Sequence, residues 1–313
     1  MKRYDIGSLE ANQRLDKFVA KVAPRLPKSL LYKSIRTKRI KCNRGRCTAN
    51  YILQPGDVLE LYLEDDFFLS NQADLPMSSG ILDIIYEDES ILLANKSAGI
   101  SVHGDRKDDS LQSRLNGYFF GENYSKTCEA IAFTPSFVHR LDRNTSGIVI
   151  AAKTFPAAQV LSEKIKVNEV KKTYLCLVQG VPNPPAGRLE GYHSKDSATN
   201  QVSITSLPRP GAKEVITEYR VLEENGEESL VEVQLHTGRS HQIRAHMASI
   251  GHPVVGDVKY GYSGGRKLPP FFLALCAYRV KFVFESDARI LNYLTGKSFQ
   301  LEAIPFSLRH NRE

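Results

Sequence analysis

His139-Arg140-Leu141-Asp142-Arg143-Asn144-Thr145-Ser146-Gly147 runs without a break into the apolar segment Ile148-Val149-Ile150-Ala151-Ala152. A charged turn feeding an unbroken apolar run reads as a loop that opens a buried strand. One carboxylate, Asp142, stands among three side chains able to carry positive charge, His139, Arg140 and Arg143. Nearby positive charge holds a carboxylate in its ionised form. An anionic oxygen at the mouth of a strand suits a nucleophile or a base. Arg-x-Asp-Arg clusters also occur as plain surface salt bridges, so these residues alone leave both readings open.

The chain around that stretch has 313 residues, enough for two domains with one sizeable core. Apolar residues make up 42% and charged residues 25%, which places it among folded globular proteins. Lys and Arg number 42 against 35 Asp and Glu, a formal charge of +7 that favours polyanionic partners. The five cysteines, Cys42, Cys47, Cys128, Cys176 and Cys276, form no C-x-x-C pair. Their odd number argues against a disulfide framework and fits a reducing cytoplasm. The N-terminus leads into polar residues, and no run approaches the ~20 apolar residues of a membrane span, so neither export nor anchoring is expected.

Near the N-terminus, Leu15, Phe18, Val19 and Val22 follow i, i+3, i+4, i+7 and predict an amphipathic helix ending near Pro24. A second helix is expected over Ser29 to Thr37. Strands are expected over Arg39 to Cys42 and Asp57 to Leu63, with turn signals at Asn43-Arg44-Gly45 and Gln54-Pro55-Gly56-Asp57. Between Lys28 and Arg46 stand eight basic residues (Lys28, Lys33, Arg36, Lys38, Arg39, Lys41, Arg44, Arg46) and no acid. A charge run is often only a solvated face; this one spans helix, turn and strand edge, which suits gripping a phosphate backbone at several points. Ser70 to Gly80 reads as a linker, so the expected division is 1–63, 64–80 and 81–313.

Beyond it, strands are expected over Ile81 to Tyr86 and Ile91 to Ala94, followed by Lys96, read as a surface lysine within reach of RNA. A helix is expected from Pro156 to Val167 and a strand from Lys171 to Gly180, on which Tyr174 is in isolation an ordinary strand aromatic. Asn183 to Lys213 is rich in turn formers and reads as loops and edge strands. Strands follow over Val215 to Leu222 and Leu230 to Leu235, and a last strand pattern lies in Leu291 to Ile304. In Leu235-His236-Thr237-Gly238-Arg239-Ser240-His241-Gln242-Ile243-Arg244-Ala245-His246, Ser240 is expected to cap a helix stopped at Gly251 and Pro253. The histidines there do not suggest a metal. Five residues of helix turn about 500°, which sends His241 and His246 to different faces, and no H-E-x-x-H is present. No G-x-G-x-x-G, P-loop or G-x-S-x-G supports a nucleotide cofactor or a serine hydrolase.

His-Arg-Leu-Asp followed by Thr-Ser-Gly closely resembles the catalytic motif of the pseudouridine synthases of the large-subunit ribosomal (RluA/RluD-like) family. The resemblance continues in order through Lys96-Ser97-Ala98-Gly99, where the family's usual proline is absent, Lys171-Lys172-Thr173-Tyr174-Leu175, the Arg239 to His246 stretch and Gly256-Asp257 with Tyr260-Gly261. Cys276 stands where the family often has histidine. Arg14 to Phe18, Lys38 to Asn43 and Gly56 to Leu59 likewise resemble the S-four-type RNA-binding module. The resemblance implies an α+β fold with a mixed, mainly antiparallel sheet and a cofactor-independent isomerase. In that reading Asp142 acts on the ribose, Arg244 orients it, Tyr174 stacks on the uracil, and Arg140 fills the space left by the flipped base. It further implies ribosomal RNA as partner, with transfer RNA as the alternative, no metal, no membrane, and a monomer. The competing readings are a non-catalytic RNA-binding or ribosome-assembly protein, a glycosidase-like hydrolase needing a second acid such as Asp257, and a metal-dependent nuclease.

Overall fold

Lys2–Asp5 (β1), Leu15–Val22 (α1), Lys28–Arg36 (α2), Ile40–Cys42 (β2) and Val58–Leu61 (β3) make an N-terminal module with its own core. The coordinates come from a computed structural model, which describes residues 1–8, 10–68, 76–105, 108–121, 133–196, 201–264 and 268–308. Cys128 and most of the expected linker from Ser70 lie outside the described residues. The strands pair antiparallel in the order β1-β3-β2. Leu15, Phe18 and Val19 are fully buried, as their helical spacing requires. Asn43 and Arg44 both take positive φ, 51° and 62°, at the expected turn. The Asn43 amide holds that turn by donating to Asp57 Oδ1 at 2.8 Å and accepting from the Val58 amide at 2.8 Å. β1 carries no readable signal, because Tyr4 alone among its four residues is even partly buried.

The larger part follows as Ile84–Glu87 (β4), Ile91–Lys96 (β5), Leu111–Phe120 (α3), Ser136–Phe137 (β6), Ser146–Ala152 (β7), Phe155–Lys166 (α4), Val170–Gln179 (β8), Ala186–Lys195 (β9), Val202–Thr205 (β10), Lys213–Glu224 (β11), Glu228–Leu235 (β12), Gln242–Ser249 (α5), Leu275–Phe282 (β13) and Ser298–Gln300 (β14). Eleven strands form one sheet, in the order β10-β9-β11-β12-β8-β13-β7-β5-β4, with β6 on β7 and β14 on β13. β13 and β7 run parallel and the other pairs antiparallel, so the α+β class with a mixed, mainly antiparallel sheet is as expected. All seven residues of β7 are buried. Ile148 and Ile150 pack on one face with Val160 and Leu161 of α4, and Val149 and Ala151 on the other with Leu111 and Leu115 of α3. That two-sided burial is why the run shows no alternation.

One glycine sets the geometry that matters. Gly147 has φ of 113°, and a Cβ there would lie 2.4 to 2.8 Å from the Ala277 backbone. β7 therefore approaches β13 as closely as backbones can, with Ala277 beside Gly147 on one side and beside Tyr174 of β8 on the other. The Asp142 turn that opens β7 and the Tyr174 strand are brought together across a single strand.

Two segments differ from expectation. β9 is an inner strand paired on both sides, so among the described residues of Asn183 to Lys213 only β10 is an edge. Gly187, Gly191 and Ser194 within it are turn formers, and that composition is what makes an inner strand read as an edge. A 3-10 turn, Arg289–Leu294, runs into Leu291 to Ile304 and buries Leu291 and Leu294 before the short β14. The N-terminal module meets α4, where Gln159 Nε2 donates to the Asn12 carbonyl at 2.9 Å and the Lys21 ammonium lies 4.1 Å from the Phe155 ring centroid. Among the described residues no helix is long and apolar enough to cross a membrane.

Candidate active site

Asp142 ahead of β7, Tyr174 on β8, and Arg239, His241 and Arg244 around the start of α5 line one cavity with Arg140, Thr145 and Ile243. The loop bearing Asp142 is fixed from beneath. His139 Nε2 accepts the Ile150 amide at 3.1 Å, and loss of solvent, with the Lys172 charge second, holds the ring neutral with its pKa well below the usual histidine range. Lys96 is fully buried, a correction to the surface lysine expected from sequence. Its ammonium donates to the carbonyls of Ser97, Ile100 and Arg143, each at 2.9 Å, so all three of its protons are bonded. Burial pushes its pKa down to about 8 while the Asp142 charge pulls it up. The Arg143 carbonyl also accepts the Gly99 amide at 2.9 Å.

The positive charge closest to Asp142 comes from Arg244, in the Arg239 to His246 stretch, and not from its chain neighbours. Arg143 turns away, its Nε donating to the Gly99 carbonyl at 2.8 Å and its guanidinium lying 5.4 Å from the Phe271 ring. Arg140 is exposed and lines the cavity. Asp142, 26% exposed, instead meets Arg244 Nη1 at 3.6 Å and His241 Nε2 at 3.8 Å. Both contacts fall on Oδ2.

Arg244 has a closer partner. Its Nε and Nη2 donate to the two oxygens of Asp257 at 2.6 and 2.7 Å, and its guanidinium lies 5.0 Å from the Tyr260 ring. The Asp257 side chain is 1% exposed. A bidentate pair of this kind fixes the plane of the guanidinium, which leaves Nη1 facing Asp142. Gln242 shapes the turn into α5, where Ser240 was expected to cap the helix. Its Oε1 accepts from Thr237 Oγ1 and the Arg239 amide, and its Nε2 donates to the Ile216 carbonyl and Thr217 Oγ1. The N-cap is His241, in the left-handed region at φ 52°, and its side chain makes no capping bond. A buried glutamine bonded on every side outweighs the capping preference of a neighbouring serine.

Tyr174 is 7% exposed. Burial first, then the Asp142 charge, raises its hydroxyl pKa, so it is a neutral phenol at every working pH. The remaining histidines face separate partners: His246 Nδ1 sits 2.7 Å from Thr217 Oγ1 and its pKa falls by burial to about 4, His252 Nδ1 lies 2.8 Å from the Gln179 carbonyl, and His236 pairs with Glu218. Of the eight N-terminal basic residues, Lys28, Lys33, Arg36, Lys38, Arg39, Arg44 and Arg46 are exposed. Lys41 is half-buried, its ammonium 4.9 Å from the Tyr62 ring. A cleft of about 650 Å³ lined by Lys171, Lys172, Arg279 and Lys281 shares Leu235 with the Asp142 cavity, a second basic surface that local sequence patterns do not reveal.

A mixed sheet brings three dispersed stretches of chain to one cavity and is joined to a small basic module. The chain belongs to the RNA pseudouridylate synthase family, whose model matches residues 90–249, and an S4 domain matches residues 13–59. It is 30% identical over 329 aligned residues to ribosomal large subunit pseudouridine synthase C of Haemophilus influenzae, covering 100% of this chain and 96% of that one. An uncharacterized RNA pseudouridine synthase of Bacillus subtilis is 32% identical over 253 residues, 80% of this chain and 79% of that one. Among solved structures, human RNA pseudouridylate synthase domain containing 1 superposes with a TM-score of 0.55 at 29% identity, covering 68% of this chain and 82% of that one. The protein is thus an RNA pseudouridine synthase with an N-terminal RNA-binding S4 domain.

Proposed function

We propose that this synthase converts uridines of large-subunit ribosomal RNA to pseudouridine in the cytoplasm, with Asp142 as the group that acts on the ribose. The name of the Haemophilus influenzae relative, over the full length of the chain, supports the ribosomal substrate. The reaction breaks the uracil N1 to C1′ bond, turns the base, and joins C5 to C1′, while C5 loses a proton and N1 gains one. The product is an isomer of the substrate, so the balance needs no redox partner and no cofactor.

The observation that carries the reading is the aspartate itself. The Arg244 guanidinium and the His241 ring both meet Oδ2, so Oδ1 is left to the ribose, either attacking C1′ or taking the C2′ proton. Arg244, clamped by Asp257, meets the carboxylate at 3.6 Å and keeps it aimed. Tyr174 offers the uracil a flat, water-free platform once the base has left the helix, and Arg140 takes the vacated place. The exposed Lys28, Lys33, Arg36, Lys38, Arg39, Arg44 and Arg46, with Lys41, grip the phosphate backbone nearby. The functional division is a binding domain over 1–63, a linker over 64–80 and a catalytic domain over 81–313, working as a monomer without metal.

Tritium release from ribosomal RNA labelled at uridine C5 tests this directly. Wild type should release tritium, and Asp142→Asn, which removes the charge at nearly constant shape, should not. Release by both would remove Asp142 from the reaction, and release from transfer RNA alone would move the substrate.

A further inference from the structure

Beyond Arg244, a second line of contacts ends on Asp142. The Val202 amide, on edge strand β10, donates to the Tyr260 hydroxyl oxygen at 3.0 Å. That hydroxyl lies 2.8 Å from His241 Nδ1, and His241 Nε2 lies 3.8 Å from Asp142 Oδ2. We propose that His241 is a positioning residue for Asp142, held by the Tyr260 hydroxyl as the tautomer that carries its proton on Nε2 and points that N–H at Oδ2. The inference rests on the reading of Asp142 as the acting group.

Each end of the imidazole selects the same tautomer. With the Val202 amide occupying one lone pair of the Tyr260 oxygen, the phenol proton has Nδ1 as its acceptor. At the other end, a bare Nε2 lone pair would face an anionic carboxylate, whereas an N–H there meets it with the favourable sign. Burial first, then the charges of Arg244 and Lys259, lowers the His241 pKa against the opposing pull of Asp142 and Asp257, so near neutral pH the ring is uncharged and its tautomer decides what Asp142 meets. Tyr260, its own pKa raised mainly by burial, keeps its proton.

The ring is also held mechanically. Tyr260 packs edge-on against it with centroids 5.7 Å apart, and the same tyrosine carries the Arg244 guanidinium. His241 sits at φ 52°, a conformation uncommon for residues other than glycine, which the local backbone keeps at the cost of strain. One tyrosine thereby orients both groups that converge on Oδ2. Two contacts on one oxygen, at 3.6 and 3.8 Å, bias the carboxylate toward one orientation.

Nitrogen-15 spectra of the full chain labelled at histidine, with the His241 signals assigned by their absence in His241→Gln, read the tautomer in the wild-type protein. A protonated Nε2 and a bare Nδ1 are expected, and Tyr260→Phe should mix the tautomers. A protonated Nδ1 in wild type, or the same spectrum in Tyr260→Phe, overturns the proposal. In single-turnover tritium release, His241→Ala and Tyr260→Phe should slow the reaction by up to about a hundredfold without weakening RNA binding. His241→Gln, which keeps an N–H donor, should recover most of the rate. Wild-type rates in His241→Ala, or losses confined to RNA affinity, refute the positioning role. If Asp142→Asn is inactive while His241→Ala reacts at the wild-type rate, the positioning role alone fails; if Asp142→Asn also reacts at that rate, the catalytic reading falls with it.

Discussion

Arg244 and Arg39 are the same residue type doing different physical work. Arg244 is 12% exposed, bonded twice to a buried carboxylate and packed on an aromatic ring, whereas Arg39 is exposed and forms no ion pair among the described residues. A charge taken out of water is worth its geometry, because solvation no longer compensates a misplaced partner. A charge left in water is worth its number, since salt screens it and a neighbour can replace it. The Asp142 cavity should therefore fail one residue at a time and the N-terminal module only by degrees.

Removing Asp257 breaks the buried side of the contrast most severely. Asp257→Ala strands the Arg244 guanidinium, and loss of one partner from a buried pair costs about 3–5 kcal/mol. Urea unfolding should register that loss, and tritium release should fall in the protein that remains folded. Arg39→Gln should unfold like wild type. If the two variants unfold alike, burial does not separate the two arginines.

Lys96 sharpens the same point with pH. Lys96→Met leaves three carbonyls without their donor and should cost about 2–3 kcal/mol near neutral pH. Its proton leaves near pH 8 in the folded chain and near the ordinary lysine value of about 10.4 in the unfolded one. Between those values the unfolded state binds more protons, so this group's contribution to stability rises with pH. The difference in unfolding free energy between wild type and Lys96→Met should accordingly grow over that window. A flat difference would mean that burial leaves the proton affinity of Lys96 at its unfolded-state value.

Tyr174 tests packing apart from charge. Tyr174→Phe keeps the ring and loses a hydroxyl for which no bond is seen among the described residues, so kcat/KM should stay close to wild type. Tyr174→Ala removes the platform, and a lost base stack of about 1–3 kcal/mol corresponds to roughly a ten- to hundredfold drop. A large loss in Tyr174→Phe would assign the work to the hydroxyl.

What sequence could reveal follows the same division. The unbroken apolar run of β7 and the helical spacing of Leu15, Phe18 and Val19 are local patterns, and both elements form where those patterns lie. The order of motifs leads to Asp142, Tyr174 and Arg244, which line one cavity. The partners that hold them were not legible. Lys96 reads as a surface lysine because nothing nearby in sequence shows that carbonyls from Ser97, Ile100 and Arg143 converge on it. Asp257 reads as a spare acid because its bond to Arg244 spans a turn of chain and the end of a helix. Ser240 reads as a cap because capping preference is local, whereas Gln242 reaches across to β11. Support by long-range hydrogen bonds leaves little trace in composition or period.

The smallest effects belong to the exposed side. Lys38→Gln and Arg39→Gln should each weaken RNA binding only a few-fold at moderate salt and leave the single-turnover rate of bound RNA unchanged. Each lost phosphate contact should reduce the slope of log affinity against log salt by about 0.7–0.9. The two changes together should reduce it by about twice as much, because exposed contacts with no shared partner add. Filter binding across a salt series measures this. A single substitution that abolishes binding at every salt concentration would show that the module holds RNA in a fixed pocket, and Arg39 would then belong with Arg244.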